Sequence, residues 1–218
     1  MKSPKRASKQ PDFLAALIRT GYVPREIPPA VTSRYFAEFC KVEYSDLKAR
    51  STQLIRRSTN YETFTAPHPS RGRRSLALVH PLSQLAISLL ITQHRRKIKQ
   101  IISEGGRSLY QVHEDLEHSK AFIGLDFRRW NDLRAQLCSE FPIVLKADFS
   151  RFFYTAYTHS IPWAVVGKEK VKEWLAHTPQ KLNAHWSNSF DKALQSCQSR
   201  ETFGIPVGPD TSLSLIHI

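Results

Sequence analysis

Three stretches of this 218-residue chain carry side chains that could do chemistry. In the first, Asp148 closes a β-leaning run of Ile143 to Leu145 and Ala147, and the aromatic residues Phe149, Phe152 and Phe153 follow it. A carboxylate so placed either caps a helix, since Ser150 to Tyr157 could begin one, or offers hard oxygen to a divalent cation. In the second, Arg71, Arg73 and Arg74 sit beside the turn Pro67 to Gly72. Guanidinium groups present paired donors that suit phosphate oxygens, although a solvated turn is the plainer explanation. In the third, Gly204-Ile205-Pro206-Val207-Gly208-Pro209-Asp210-Thr211-Ser212 holds two glycines and two prolines in nine residues, which demands a sharply folded loop.

Other elements must position these groups. Thr63 to Thr65 and Leu76 to Val79 are β-leaning runs on either side of Pro67 to Gly72, a hairpin signal with arginines near its tip. Pro81 opens a long helix, LSQLAISLLITQHRRKIKQII, with Gly105 beyond its end. Its first half is almost wholly apolar and should be buried. Its second half turns basic at Arg95, Arg96, Lys97 and Lys99, which suits both the helix dipole and a nucleic-acid partner. From Asp12 a short amphipathic helix is expected, then a Pro-bounded connection to Pro29. Tyr35, Phe36, Phe39 and Tyr44 are expected to pack on further helices. A second helix should lie near Trp130 to Phe141, and Lys168 to Ser199 reads as helical. The chain has no internal repeats.

A hydrophobic share of 41% describes a folded domain, and the formal net charge of +13 favours a polyanionic partner, nucleic acid or an anionic membrane surface, with a merely basic protein the plainer alternative. No stretch approaches the ~18 apolar residues of a membrane span. No apolar signal core follows the basic leader, and the three separated cysteines, Cys40, Cys138 and Cys197, suit a reducing cytoplasm. His113-Glu114-Asp115-Leu116-Glu117-His118 misses the zinc-protease spacing by one residue, and no GxxxxGK[ST] loop occurs. Trp163, Trp174 and Trp186 lie near basic residues and could stack bases, with core packing the alternative.

The run Leu145-Lys146-Ala147-Asp148-Phe149-Ser150-Arg151-Phe152-Phe153, continuing to Tyr157-Thr158-His159-Ser160-Ile161-Pro162-Trp163-Ala164, resembles motif A of reverse transcriptases. The loop from Gly204 to Ser212 resembles their motif B, and Pro67 to Leu76 resembles the finger hairpin that closes on the incoming triphosphate. The likeness spans about Thr20 to Ser212. Val207 stands where many of these enzymes have glutamine, and His68 where many have lysine. The valine form of the loop, together with THSIPWA and TGYVPREIPP, is similar to the bacterial abortive-infection group.

The resemblance implies an RNA-directed DNA polymerase, a nucleotidyltransferase using magnesium or manganese, with a role in antiviral defence. Asp148 would be catalytic and would hold the metal, assisted by the Phe149 backbone carbonyl. Arg74 and Arg73, with Arg71 as a further helper, would grip the triphosphate; Phe149 and Phe153 would complete the deoxynucleotide contacts, Phe153 beneath the sugar. Pro206, Val207, Gly208 and Ser212 would support the nascent base pair and the template. The implied fold is α+β, a polymerase right hand's fingers with an incomplete palm, behind a helix-rich N-terminal region that includes the finger hairpin. Residues 1–11 would be a disordered basic leader, 12–141 the helical region and fingers, 142–212 the partial palm, and 213–218 a non-native tail. The implied partners are an RNA template, a DNA product and deoxynucleotides, in the cytoplasm and without a membrane, with a homo-oligomer left open.

That family carries two adjacent aspartates beyond motif B, and no such pair occurs in the 218 residues. Leu213-Ser214-Leu215-Ile216-His217-Ile218 also spells a common sequencing-adapter end, so it is expected to break from the helix that should follow Ser212. On this view the chain alone polymerises nothing and its parent does. The alternatives are a non-catalytic basic nucleic-acid-binding protein and an inactive polymerase remnant.

Overall fold

A computed structural model of the chain describes residues 10–68, 72–104, 112–115, 121–123, 127–145, 147 and 149–215. Among them are twelve helices and two small antiparallel two-stranded sheets, a helix-rich α+β fold. Most of the basic leader lies outside the described residues. Its last two members, Gln10 and Pro11, are already helical, because proline in a first turn gives up no hydrogen bond.

The longest helix organises the rest. It spans Pro81–Glu104 and is α5 in chain order. Pro81 stands at its first position, the Leu82 amide donates to His80 Nδ1 at 3.2 Å, and the Ser83 and Gln84 amides donate to the His80 carbonyl. Leu85, Ala86, Ile87, Leu89, Leu90 and Ile91 are buried in its first half together with Ser83, Gln84, Ser88 and Thr92, so other elements cover it on all sides. Its buried polar members find internal partners, except that Gln84 Oε1 is left without one. Thr92 Oγ1 donates to the Ser88 carbonyl at 2.8 Å, and Gln84 Nε2 donates to Thr211 Oγ1 at 3.1 Å.

The chain before α5 covers it in two ways. Helix α1 (Gln10–Gly21) presents Phe13 and Leu17 to one hydrophobic cluster and Leu14, Ala15 and Ile18 to another. The second, smaller cluster adds Ala37 and Cys40 of α2 (Arg34–Val42), Tyr44 of α3 (Tyr44–Ala49), and Leu85 and Leu89. The expected packing of α2 aromatics is only half realised. Ala37 and Cys40 face inward with Phe36 beside them, which turns Tyr35 and Phe39 to solvent. Helix α4 (Ser51–Arg56) then leads to the hairpin.

Strands β1 (Glu62–His68) and β2 (Gly72–Leu78) pair in the register Glu62↔Leu78 to His68↔Gly72, where the turn signals placed them. Tyr22 Oη donates to the Val79 carbonyl at 2.7 Å and fixes the hairpin's base to the end of α1. The larger cluster gathers Val79, Ile87, Leu90 and Ile91 with Val112 and Phe122, which flank or lie in the short pair β3 (His113–Glu114) and β4 (Phe122–Ile123). Later residues Ile161, Phe190, Leu194 and Ile205 complete it. They come from α8 (Ser160–Val166), α11 (Trp186–Ser196) and the loop beyond it. Between these lie α6 (Phe127–Glu140), α7 (Phe152–Thr155), α9 (Lys168–His177) and α10 (Pro179–Ala184).

Two expectations are corrected. Ile143 to Leu145 form no strand: Ile143 is 86% and Leu145 90% exposed, and no strand among the described residues pairs with them. A β-leaning run becomes a strand only when a partner completes its ladder, and none does here. Nor does the helix break after Ser212, since α12 spans Asp210–Leu215; residues 216–218 lie outside the described part. Leucine and serine are compatible with the helix that Asp210 opens, and a leading acid suits its dipole. No helix among the described residues is long and apolar enough to cross a membrane.

One ion-pair cluster closes the far side of α5. Arg95 clamps Glu114 through two bonds of 2.8 and 2.6 Å, Lys99 Nζ adds a third at 2.7 Å, and the Arg95 guanidinium lies 3.9 Å over the Phe13 ring. Burial by itself would push the Glu114 carboxyl up, but the hydrogen bonds from Arg95 and Lys99 hold it below the usual range. Its stabilisation is therefore complete above the unfolded value of about 4.3 and is lost as pH falls through the lower folded value. Glu114→Gln should cost roughly 2 kcal/mol at neutral pH. Urea denaturation should show the gap from the parent chain closing in acid.

Candidate functional site

The three stretches with candidate chemistry are joined by backbone hydrogen bonds. Residues 153–158 run antiparallel to residues 202–205. The Ile205 amide donates to the Phe153 carbonyl at 2.7 Å, Gly204 to Ala156 at 2.8 Å, and Thr158 to Thr202 at 3.0 Å. Tyr157 and Phe203 bridge, with ring centroids 4.6 Å apart. Beyond this crossing the Ala77 amide of β2 donates to the Val207 carbonyl at 2.6 Å. Tyr154 Oη donates to the Ser75 carbonyl, also at 2.6 Å. The hairpin, the segment after Asp148 and the glycine loop thus form one neighbourhood.

Gly208 explains the loop's shape. Its φ of +145° is costly for any residue with a side chain, and a Cβ built there would lie 2.7 Å from Pro24 Cγ and 3.0 Å from the Ala77 carbonyl oxygen. The close approach demanded of this glycine is to the protein's own hairpin. Pro206 and Ser212 are buried and Val207 is half-buried. Ser212 lies in the first turn of α12, its amide donating to the Pro209 carbonyl. Within these contacts the four loop residues act as packing groups.

The arginines diverge. Successive side chains of a strand point to opposite faces, so Arg73 and Arg74 leave β2 on different sides. Arg73 folds back on β1, with Nε 2.9 Å from Thr65 Oγ1 and Nη2 2.7 Å from the Thr65 carbonyl. Arg74 Nη2 donates to Glu26 Oε1 at 2.5 Å, in a pair about half open to water. Arg71 lies outside the described residues.

The segment beyond Asp148 adds a second cation. Arg151 precedes α7 with φ of +56°, a left-handed conformation uncommon for such a residue, and its guanidinium lies 6.0 Å from the Tyr154 ring centroid. Burial raises the Tyr154 hydroxyl above its ordinary value and Tyr61 adds to this, while Arg151 and Arg74 oppose it. The hydroxyl therefore keeps its proton and donates. Arg74, Arg151, Tyr154 and Glu26 form an open polar patch with two guanidinium groups and one carboxylate.

Asp148 lies outside the described residues. Arg151 occupies the N-cap position of α7. Phe149 is 79% exposed, with its ring 6.1 Å from Phe152. Phe153 is half-buried against the larger core, its carbonyl taken by Ile205. Among the described residues no three acidic, histidine or cysteine side chains gather to hold a metal ion. His159 is bonded to buried Asp191, with Nδ1 2.7 Å from Oδ2, and Gln195 Nε2 holds the other carboxylate oxygen at 2.6 Å. Asp191, Glu26, Arg151 and Tyr154 had no assigned role in the sequence. Arg151 and Tyr154 at least stand inside the aromatic run that drew attention to Asp148. No protein-family model and no curated protein matches the chain.

Gly208→Ala should destabilise the fold by about 2 kcal/mol or more, through positive φ and the clash with Pro24 and Ala77 together. Urea denaturation at neutral pH measures it, and an unchanged midpoint would refute this account of the loop.

Proposed function

We propose that this chain is the fingers and partial palm of an RNA-directed DNA polymerase of the bacterial abortive-infection type, acting in the cytoplasm in antiviral defence. The observation that carries the proposal is the convergence of its three resemblance-bearing stretches. Tyr154 bonds to Ser75, Val207 to Ala77, and Phe153 to Ile205. Stretches that lie up to about 130 residues apart in sequence and share one enzyme's motifs have a reason to meet if they serve one substrate.

In this proposal Arg74 and Arg151 bind the triphosphate of a deoxynucleotide, for which paired guanidinium donors are suited. Glu26 holds Arg74 in place until the triphosphate displaces it. Tyr154 orients the segment on which Phe149 and Phe153 stand. Magnesium or manganese would neutralise the triphosphate and orient the attacking oxygen, with Asp148 and the Phe149 carbonyl assigned to it by resemblance. The described residues do not gather a donor set for the ion.

A second reading, a non-catalytic nucleic-acid-binding protein, is favoured by the engagement of both hairpin arginines, Arg74 with Glu26 and Arg73 with Thr65. Titration with a deoxynucleoside triphosphate separates the two. On the polymerase reading Arg74→Gln weakens binding roughly tenfold, and Glu26→Gln tightens it about two- to fivefold by freeing the guanidinium. If neither variant changes triphosphate affinity, the second reading stands.

Catalysis is tested by deoxynucleotide incorporation. Asp148→Ala should lower deoxynucleotide incorporation on an RNA template by a factor on the order of a thousand. Undiminished incorporation would remove Asp148 from the mechanism.

A further inference from the structure

Four rings from three parts of the fold touch one after another, with a lysine over each of the two tryptophans. Trp186 opens α11, and its ring centroid lies 5.3 Å from that of His94 on α5 and 6.0 Å from that of His185. His185 lies 5.8 Å from Trp174 of α9. Lys97 Nζ sits 5.7 Å from the Trp186 centroid, and Lys170 Nζ sits 5.5 Å from that of Trp174. The row is anchored from below, where Trp186 and His94 meet buried Phe190 at 5.9 and 6.3 Å. All four rings are nonetheless only half-buried, and both lysines are exposed.

Packing accounts for the inner edges of these rings but leaves their outer sides to water. The charge around them is mostly of one sign. Arg96, Lys168 and Lys172 lie on the same helices, against Glu169 and Glu173, and Glu169 is already taken by Lys172 at 3.0 Å. Burial holds the His94 imidazole below its ordinary range, with Lys97 and His185 adding to the effect. Burial and then Lys97 do the same for His185. Both imidazoles are therefore neutral aromatic rings at neutral pH.

We infer that this row is a binding surface for single-stranded nucleic acid, its rings stacking bases while Lys97 and Lys170 hold the adjoining phosphates. Flat rings interleaved with cations are what an unpaired strand can use, since each of its bases offers a face. A duplex keeps its base faces stacked inside and can offer only phosphates. The surface is separate from the hairpin patch: the rise of α5 alone carries Lys97 about 24 Å from Pro81, where the hairpin joins. It requires no polymerase chemistry and stands apart from the function proposed above.

The test is titration of the whole chain with a short oligo(dT), followed by tryptophan fluorescence and by anisotropy at several salt concentrations. Binding with quenching is expected, and Trp174→Ala should weaken it about tenfold. The double variant Lys97→Gln with Lys170→Gln should flatten the logarithmic salt slope by about 1.4, the share of two phosphate contacts on a single strand. Arg74→Gln should leave the quench intact while lowering triphosphate binding, which distinguishes this surface from the hairpin patch. Trp186 is left alone because it anchors the core, and circular dichroism checks the fold of each variant. Should Trp174→Ala fail to fold, the exposed lysine pair carries the test. Unchanged oligo(dT) affinity and salt slope in the folded variants, or equal quenching by a duplex of the same length, would overturn the inference.

Discussion

A helix buried on every face needs cover from all sides, and the first half of α5 is such a helix. Burying each of its leucines and isoleucines is worth about 2 kcal/mol, provided that some other element supplies the cover. That requirement recruits nearly the whole chain. Helix α1 splits its apolar residues between two clusters, one closed by α2 and α3 and the other by α11 and the loop ending at Gly208. The larger cluster therefore takes residues from both ends of the sequence, Phe13 with Phe190 and Leu17 with Ile205. A truncation at either end would open the same core.

Because β2 runs almost directly into α5, the buried helix also fixes the hairpin. Only Leu78, Val79 and His80 separate Ala77 from Pro81, and the Ala77 amide holds the Val207 carbonyl. Gly208 lets the loop come that close, with Pro24 filling the space on the other side. Tyr154 then reaches the Ser75 carbonyl from the third stretch. Arg74 thus stands on a strand held from two sides, and it and Arg151 both act on the Tyr154 hydroxyl, while its own side chain stays half open to water. The backbone of the patch is set by the core, and only the outer ends of its side chains remain free to exchange Glu26 for another anion.

The elements legible in the sequence were those whose signal is local. Pro81 and the apolar run behind it announced α5, and the turn residues between two β-leaning runs announced the hairpin to within about two residues. What was not legible depends on partners distant in the chain. The facing of Arg73 and Arg74 follows from strand register. The pairing of Arg74 with Glu26 joins positions that no spacing rule connects. The glycine loop was recognisable as a tight turn, but Pro24 and Ala77 as the groups that require its glycine were not. The ring row is a further case: each tryptophan was visible beside basic residues, yet only the packing of α5, α9 and α11 decides that Trp186 and Trp174 lie on either side of His185.

The residues on either side of Asp148 show why local preference was weakest there. Downstream, from Arg151 onward, backbone groups are tied into α7 and then to residues 202–205. Upstream, Ile143, Val144 and Leu145 prefer an extended chain but stand exposed without a ladder partner among the described residues. An extended run gains order only when a second strand supplies both its hydrogen bonds and a surface for its apolar side chains. The described chain is thus tied by hydrogen bonds from residue 151 onward and has no ladder over residues 143–145. Pairing of residues 143–145 with a second strand is the constraint that would order them, and no amount of β-preference in their own sequence can replace it.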